Sequence, residues 1–182
     1  ETLPIKGTRP RSDDPEKDLR LKKELFNSPK DRAEHLMIVD LLRNDLGKIC
    51  KTGSIKVNNL YDIQSFETIH HMATKIIGEI NNNTSEVDII KAMFPGGSIT
   101  GAPKESAMKI IDELEDHNRH IYTGSSGYIC NNGNMYFNIC IRSLLKLNNV
   151  YEYGVGGGIV WDSNIKDEWD EAHQKSKILG LL

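Results

Sequence analysis

Residues 28–47 read SPKDRAEHLMIVDLLRNDLG, and both ends of a helix are written into them. Ser28 offers a hydroxyl to the free N–H groups of a first turn, and Pro29 suits the first helical position because it has no N–H to lose. Asp31 stands at the capping-box position and Gly47 marks the stop, so the spacing predicts a helix over about 29–46. Its apolar stripe runs through Met37, Ile38, Leu41 and Leu42, and stepping back by three and four residues places Glu34 on the same face. A carboxylate at the head of such a stripe is either a helix-end acid favoured by the macrodipole or a ligand aimed into a site.

Working outward, residues 9–28 are charged and carry Pro10 and Pro15, which suggests an exposed connection with a short helix around Lys17 to Phe26. Gly53 to Phe66 is extended, Glu67 to Ile80 has helical spacing through Ile69, Met72, Ile76 and Ile80, and Ser85 caps a short helix through Ile89 and Met93. Residues 94–115, FPGGSITGAPKESAMKIIDELE, form a glycine-rich loop running into an amphipathic helix that ends near Asp116. The free N–H groups at such a helix start can hold an anion. Tyr122 to Cys130 and Asn134 to Leu147 read as strands joined at Asn132-Gly133, a hairpin signal. Tyr151 to Trp161 supplies a third strand, interrupted by Gly154, Gly156, Gly157 and Gly158, where a ligand or second backbone could come close. Helical spacing returns from about Lys166 to Leu182. Helices and short antiparallel strands without βαβ alternation indicate an α+β fold.

With 182 residues, 38% hydrophobic and 27% charged, the chain is of ordinary globular composition, and its net charge of −3 gives no electrostatic reason to expect nucleic acid. No apolar run is long enough to cross a bilayer, so no membrane partner is expected. Cys50, Cys130 and Cys140 lack zinc-type spacing and read as inert thiols, and Glu1 to Arg11 has no apolar signal core, which together suggest the cytoplasm.

Several side chains could carry chemistry. Glu168, Glu171 and Lys175 share one face of the last helix, continued by Ile178 and Leu182. With Glu34 they could offer oxygens to a hard cation such as Mg²⁺, or they form a solvated helix end with an internal Glu171–Lys175 pair. GSITGAPKE has neither Walker nor dinucleotide spacing and remains a nest-like loop fit for a carboxylate. Arg142, among Ile139, Cys140, Ile141, Leu144 and Leu145, is either a carboxylate clamp or a structural arginine. Tyr122 could meet the same ligand, and at most one of His70 and His71, adjacent on a helix, could face a pocket.

Seven stretches in order, PIKGTRPR, AEHLMIVDLLRNDLG, PGGSITGAPK, YTGSSGY, FNICIRSLL, GVGGGIVWDS and DEWDEAHQKSK, resemble the chorismate-utilising enzymes, which include anthranilate, aminodeoxychorismate, isochorismate and salicylate synthases. The resemblance implies that Glu34 and Glu171 are Mg²⁺ ligands, with Glu168 supporting the ion. It places Lys175, Gly101, Gly156 and Gly158 around the substrate's carboxylates. Tyr122 and Arg142 are expected on the enolpyruvyl carboxylate, His71 near the reacting ring, and Gly7 and Thr8 in the opening loop. Lys6 separates the relatives: anthranilate synthases typically carry alanine in this motif, whereas PIKGT resembles aminodeoxychorismate synthase component I, where the lysine is regarded as a covalent nucleophile. The implied partners are chorismate, ammonia and a glutamine amidotransferase subunit or domain. The implied fold is part of a two-sheet antiparallel sandwich wrapped by helices, with residues 1–182 as the C-terminal portion of a catalytic domain. In that reading strands lose partners that lie upstream, which leaves exposed edges.

Overall fold

The computed structural model describes residues 1–161, 163–177 and 180, in two regions, Glu1–Met93 and Phe94–Leu182. In the first, β1 (Ile5–Pro10), β2 (Lys56–Ser65) and β3 (Ile69–Ile77) form an antiparallel sheet in the order β1-β3-β2. Helices α1 (Pro15–Asn27) and α2 (Pro29–Gly47) lie between β1 and β2 in the chain and pack on the sheet, and α3 (Glu86–Met93) packs on α2. Both long helices start as their sequences require. The Asp14 side chain accepts from the N–H groups of Glu16 and Lys17, and the Ser28 hydroxyl accepts from the Asp31 N–H.

The core of this region joins α2 to the sheet and α3: Ile38, Val39, Leu42, Leu46, Ile49, Cys50, Ile76 and Ala92, flanked by Ile55, Val57, Ile89 and Met93. The buried face of α2 is rotated from the expected stripe. It runs through His35, Ile38, Val39, Leu42, Asp45 and Leu46, while Met37 is exposed and Leu41 only partly covered. Glu34 therefore sits at the margin of the buried face rather than on its midline.

The helix expected over Glu67 to Ile80 is strand β3. Alternation through His70, Met72, Thr74 and Ile76 accounts for its buried residues, and Ala73 is buried too because the strand is central. The apolar positions Met72, Ile76 and Ile80 fit a helical period as well as a strand period. The polar members that complete the alternation, His70 and Thr74, are buried because each finds a hydrogen-bond partner.

The second region holds α4 (Gly97–Thr100), α5 (Lys104–Leu114), the hairpin of β4 (Ser125–Ile129) and β5 (Met135–Ile139), the hairpin of β6 (Leu144–Leu147) and β7 (Val150–Tyr153), and α6 (Ile165–Ser176). All three expected strands are shorter than predicted: Tyr122 to Cys130 is a strand only over Ser125–Ile129, with Tyr122 in the preceding turn. Asn134 to Leu147 breaks at Arg142, whose φ of 51° turns the chain between β5 and β6. The third strand stops at Tyr153, and the glycine stretch beyond it is irregular. The expected continuation of the last helix through Ile178 and Leu182 lies outside the described residues.

Candidate functional site

In the first region the site is made by a β-bulge. Ile5 pairs with Ala73 and Thr8 with His71, so Lys6 and Gly7 together face Met72 alone. Gly7 takes φ 86°, and a Cβ there would lie 3.0 Å from the Leu25 side chain and 3.1 Å from the Asp31 carboxylate, so both conformation and space require glycine. Gly7 and Thr8 thus belong to a strand rather than to a loop. The bulge presents Lys6 to α2, where Nζ lies 3.0 Å from Glu34 Oε2, and Lys30 Nζ is 4.0 Å from the other carboxylate oxygen.

The cross-strand pair Thr8 and His71 is hydrogen-bonded, with Oγ1 2.8 Å from Nδ1, and Phe66 contacts the imidazole edge-on. As neighbours on a strand, His70 and His71 point to opposite faces, which preserves the expectation that only one addresses the site although the element is not a helix. His70 is buried, between the Ser65 hydroxyl at 2.9 Å and Asp18 Oδ1 at 3.1 Å. The Arg11 guanidinium holds the Asp18 carboxyl well below the usual carboxylate range, assisted by the Ser12 N–H and by His70.

Next to Glu34, His35 is wholly buried, with Nε2 2.7 Å from Thr74 Oγ1, and Nδ1 has no partner. Burial pushes its pKa down to about 4. The imidazole is therefore neutral at pH 7 and links α2 to β3.

In the second region Tyr122 is central. Its ring lies on the glycine stretch: a Cβ on Gly154 would come 2.3 Å from the ring's Cγ, and one on Gly156 would come 2.8 Å from the hydroxyl. The glycines that read as room for a ligand or second backbone are thus needed first for this side chain. Burial pushes the Tyr122 phenol up, and Arg119 opposes that shift. Gly101 ends α4 at φ 123°, with a would-be Cβ 3.1 Å from that of Ala107. Lys175 Nζ donates to the Gly156 carbonyl at 2.8 Å and to Glu171 Oε1 at 2.6 Å.

Glu168 accepts from the Ser163 hydroxyl at 2.6 Å through Oε1, while Oε2 is buried without a hydrogen-bond partner and would lie 3.0 Å from a Cβ on Gly157. Gly158 is exposed in the same stretch. Arg142 does not occupy an apolar strand: it is exposed in the link between β5 and β6.

Lys6, Gly7, Thr8, Glu34 and His71 are thus gathered in the first region, and Tyr122, Gly156, Glu168, Glu171 and Lys175 in the second, while Gly101 ends α4, Gly158 lies exposed in the glycine stretch and Arg142 lies in the link between β5 and β6. Among the described residues no three His, Cys, Asp or Glu side chains gather at metal-binding distance. The orphaned Glu168 oxygen in a glycine-lined cradle nevertheless fits a hard cation, which takes carboxylate oxygens and keeps waters for the rest of its shell. Sequence reading passed over Arg119 and Glu115, whose spacing of four was the available signal, and His35 and Thr74, whose burial no local pattern discloses.

A family model described as chorismate binding enzyme matches residues 1–180. Aminodeoxychorismate synthase component 1 of Escherichia coli is 47% identical over 183 residues, covering 100% of this chain and 40% of that protein. Anthranilate synthase component 1 of Saccharolobus solfataricus is 45% identical over 179 residues, covering 98% of this chain and 42% of that protein. The chain therefore spans about two fifths of the length of these curated relatives. Among solved structures, anthranilate synthase component I from Streptococcus pneumoniae superposes with a TM-score of 0.84 at 35% identity, covering 97% of this chain and 38% of that one. The menaquinone-specific isochorismate synthase of Escherichia coli, at 24% identity and a TM-score of 0.86, covers 98% of this chain and 41% of that one and shares the fold. With a family model spanning nearly every residue and relatives close to half identical over the whole length, the chain belongs to the chorismate binding enzyme family.

Proposed function

We propose that this chain carries the catalytic part of an aminodeoxychorismate synthase component I, which aminates chorismate at C4 with ammonia to give 4-amino-4-deoxychorismate for p-aminobenzoate and folate synthesis. The observation that carries this reading is the placement of Lys6: a bulge turns its amine toward α2, 3.0 Å from a carboxylate oxygen of Glu34. A carboxylate 3.0 Å away favours the ammonium form, so the amine attacks the electron-poor ring only once its proton has been given up, the carboxylate being within reach to take it. Similarity alone does not choose between the branches, because relatives named for C4 and for C2 amination are about equally identical.

Lys6 Nζ sheds a proton, with Glu34 Oε2 in hydrogen-bond reach, and its lone pair forms a bond to C2 of the ring. Both ring double bonds shift, C1=C2 to C1=C6 and C5=C6 to C4=C5, and the C4–O bond breaks, the hydroxyl leaving as water once it takes up a proton. Ammonia then bonds to C4 and gives up a proton, both double bonds shift back and the C2–N bond breaks, so that Lys6 returns as the free amine. His71, oriented by Thr8, is the nearby group able to pass a proton. Lys175 and Tyr122 supply a cation and a hydroxyl for carboxylates, and Arg142 joins them through its exposed link. Glu34 and Glu171, with Glu168 in support, would hold Mg²⁺, which when bound supplies positive charge for the ring carboxylate. Ammonia would come from a glutamine amidotransferase, and the cytoplasm is the proposed location. Among the described residues no helix is long and apolar enough to cross a membrane.

The test is product analysis of the full-length protein with chorismate, Mg²⁺ and ammonium. Aminodeoxychorismate should form, and Lys6→Ala should abolish it or divert amination to C2. Anthranilate from the unaltered protein would instead assign the C2 branch, and chorismate binding with no amine product at all would assign a silent binding module.

A further inference from the structure

A two-pronged ion pair stands behind Tyr122. Arg119 Nε donates to Glu115 Oε2 at 2.8 Å and Nη2 donates to Oε1 at 2.6 Å, a side-on fork that fixes the plane of the guanidinium. Its remaining nitrogen, Nη1, turns toward the Thr123 hydroxyl at 3.3 Å and the Ile99 carbonyl at 3.5 Å. Glu115 caps the end of α5, and Ile99 lies in α4, two residues before Gly101. Arg119 thus bridges the glycine loop and the turn that carries Tyr122.

That turn needs holding. His120 and Thr123, on either side of Ile121 and Tyr122, take φ values of 46° and 62°, which cost conformational energy in residues other than glycine. The Tyr122 N–H bonds to the Arg119 carbonyl at 2.8 Å, and the guanidinium carbon stands 5.9 Å from the centre of the Tyr122 ring. The Thr123 hydroxyl, which Arg119 approaches, itself donates to the Tyr122 carbonyl at 2.6 Å. Arg119 and Glu115 are each about three-quarters or two-thirds covered, so the fork is less screened than a surface pair.

We propose that Arg119, fixed by Glu115, is a positioning residue for the substrate site: it sets the turn that lays the Tyr122 ring on Gly154 and Gly156 and aims its hydroxyl at a carboxylate of the ligand. The inference rests on the proposed role of Tyr122 toward chorismate. Arg119 acts through Tyr122 and the α4 carbonyl, and its own donors are directed at protein groups. Lysine would keep the charge but lose the fork, because one ammonium cannot span both carboxylate oxygens and also reach Thr123 in a fixed plane.

The experiment is steady-state kinetics on the full-length protein with Mg²⁺ and ammonium, comparing Tyr122→Phe, Arg119→Ala, Arg119→Lys and the Tyr122→Phe/Arg119→Ala double variant, with thermal melts to establish folding. Each single change should raise KM for chorismate about tenfold, as expected for losing one hydrogen bond to a charged group, with kcat within about twofold. The double variant should be no worse than Tyr122→Phe alone, and Arg119→Lys should not restore KM. Independent, multiplicative losses would overturn the inference, as would an unchanged KM in Arg119→Ala. If Arg119→Ala fails to fold, Arg119→Lys decides by the same KM criterion. A Tyr122→Phe variant with normal KM would overturn the role of Tyr122 itself and this inference with it; a defect there with normal Arg119 variants would overturn this inference alone.

Discussion

The two regions of this chain have similar local patterns and very different interiors. Among the described residues the buried hydrophobic side chains, from Leu25 to Ala92, all belong to Glu1–Met93. In Phe94–Leu182 the described apolar residues are in contact with solvent: Leu147 is 67% exposed, Leu114 79% and Trp161 99%. A three-stranded sheet with helices laid on it encloses a core, whereas a two-stranded hairpin has no third layer to complete one. The first region therefore holds Lys6 and Glu34 by packing. The second holds Tyr122, Glu168 and Lys175 by specific close contacts with glycines, carbonyls and ion pairs.

The sharpest way to break this contrast is a matched pair of truncations. Ile76 is fully buried beneath α2, and Ile76→Ala should cost about 2–5 kcal/mol, since it removes transfer energy and leaves a cavity. Leu147→Ala should stay within about 0.5 kcal/mol because the side chain is exposed. Urea unfolding followed with hydrogen exchange checks both, with β3 amides exchanging more slowly than those of β6 and β7. Equal costs would show that the second region has an interior after all.

A smaller effect is expected where the second region depends on absent side chains. Gly154→Ala places a methyl 2.3 Å from the Cγ of Tyr122, so the ring must move, at a cost of about 1–3 kcal/mol. The change should be visible as shifted Tyr122 ring resonances and weakened chorismate binding in titration calorimetry. An unmoved ring would mean that the glycine there serves another group.

What could be read from sequence follows the same division. The cap at Ser28 is local chemistry and fixes where α2 begins, whereas the caps at Asp14 and Asn164 start α1 and α6 at Pro15 and Ile165, ahead of the expected Lys17 and Lys166. The Asn132-Gly133 turn likewise locates the β4–β5 hairpin. The motif order carries the family, and the motifs at Lys6 and Glu34 single out two residues that meet at 3.0 Å. The strand at Ile69–Ile77 was misread because His70 and Thr74 interrupt its apolar alternation, and it is Asp18 and His35, far away in sequence, with Ser65 across the β2–β3 turn, that make them tolerable inside. The Lys6-Gly7 bulge was missed because its cause lies in the register of β3, and the break at Arg142 because its flanking residues are strand formers.

Acid titration separates the region with a core in a different way. His35 has its pKa lowered by burial from its ordinary 6.5 to about 4. The unfolded chain therefore takes up a proton that the folded chain refuses, so stability is full above about pH 6.5 and declines as pH falls toward 4. His35→Gln, which does not titrate, should flatten that part of the profile, and NMR of the imidazole should report the low pKa. A His35 midpoint near 6.5 would contradict its buried, neutral state.

The smallest expected effect concerns Asp18, at the rim of the same region, whose carboxyl is held down by Arg11 first, then by the Ser12 N–H and His70. A folded pKa below the unfolded value contributes stability that is present above the ordinary carboxylate range and disappears as pH falls through the lowered folded value. Asp18→Asn should therefore reduce stability modestly at neutral pH and leave it unchanged in strong acid, where the mutant and parent profiles converge. Because Arg11 is more than a third exposed, salt should narrow the gap at pH 7, whereas the His35 step, caused by burial rather than by a charge, should persist in high salt. Opposite salt responses would place the interior at Asp18 and the surface at His35, reversing the layering that packs α1 and α2 on the sheet.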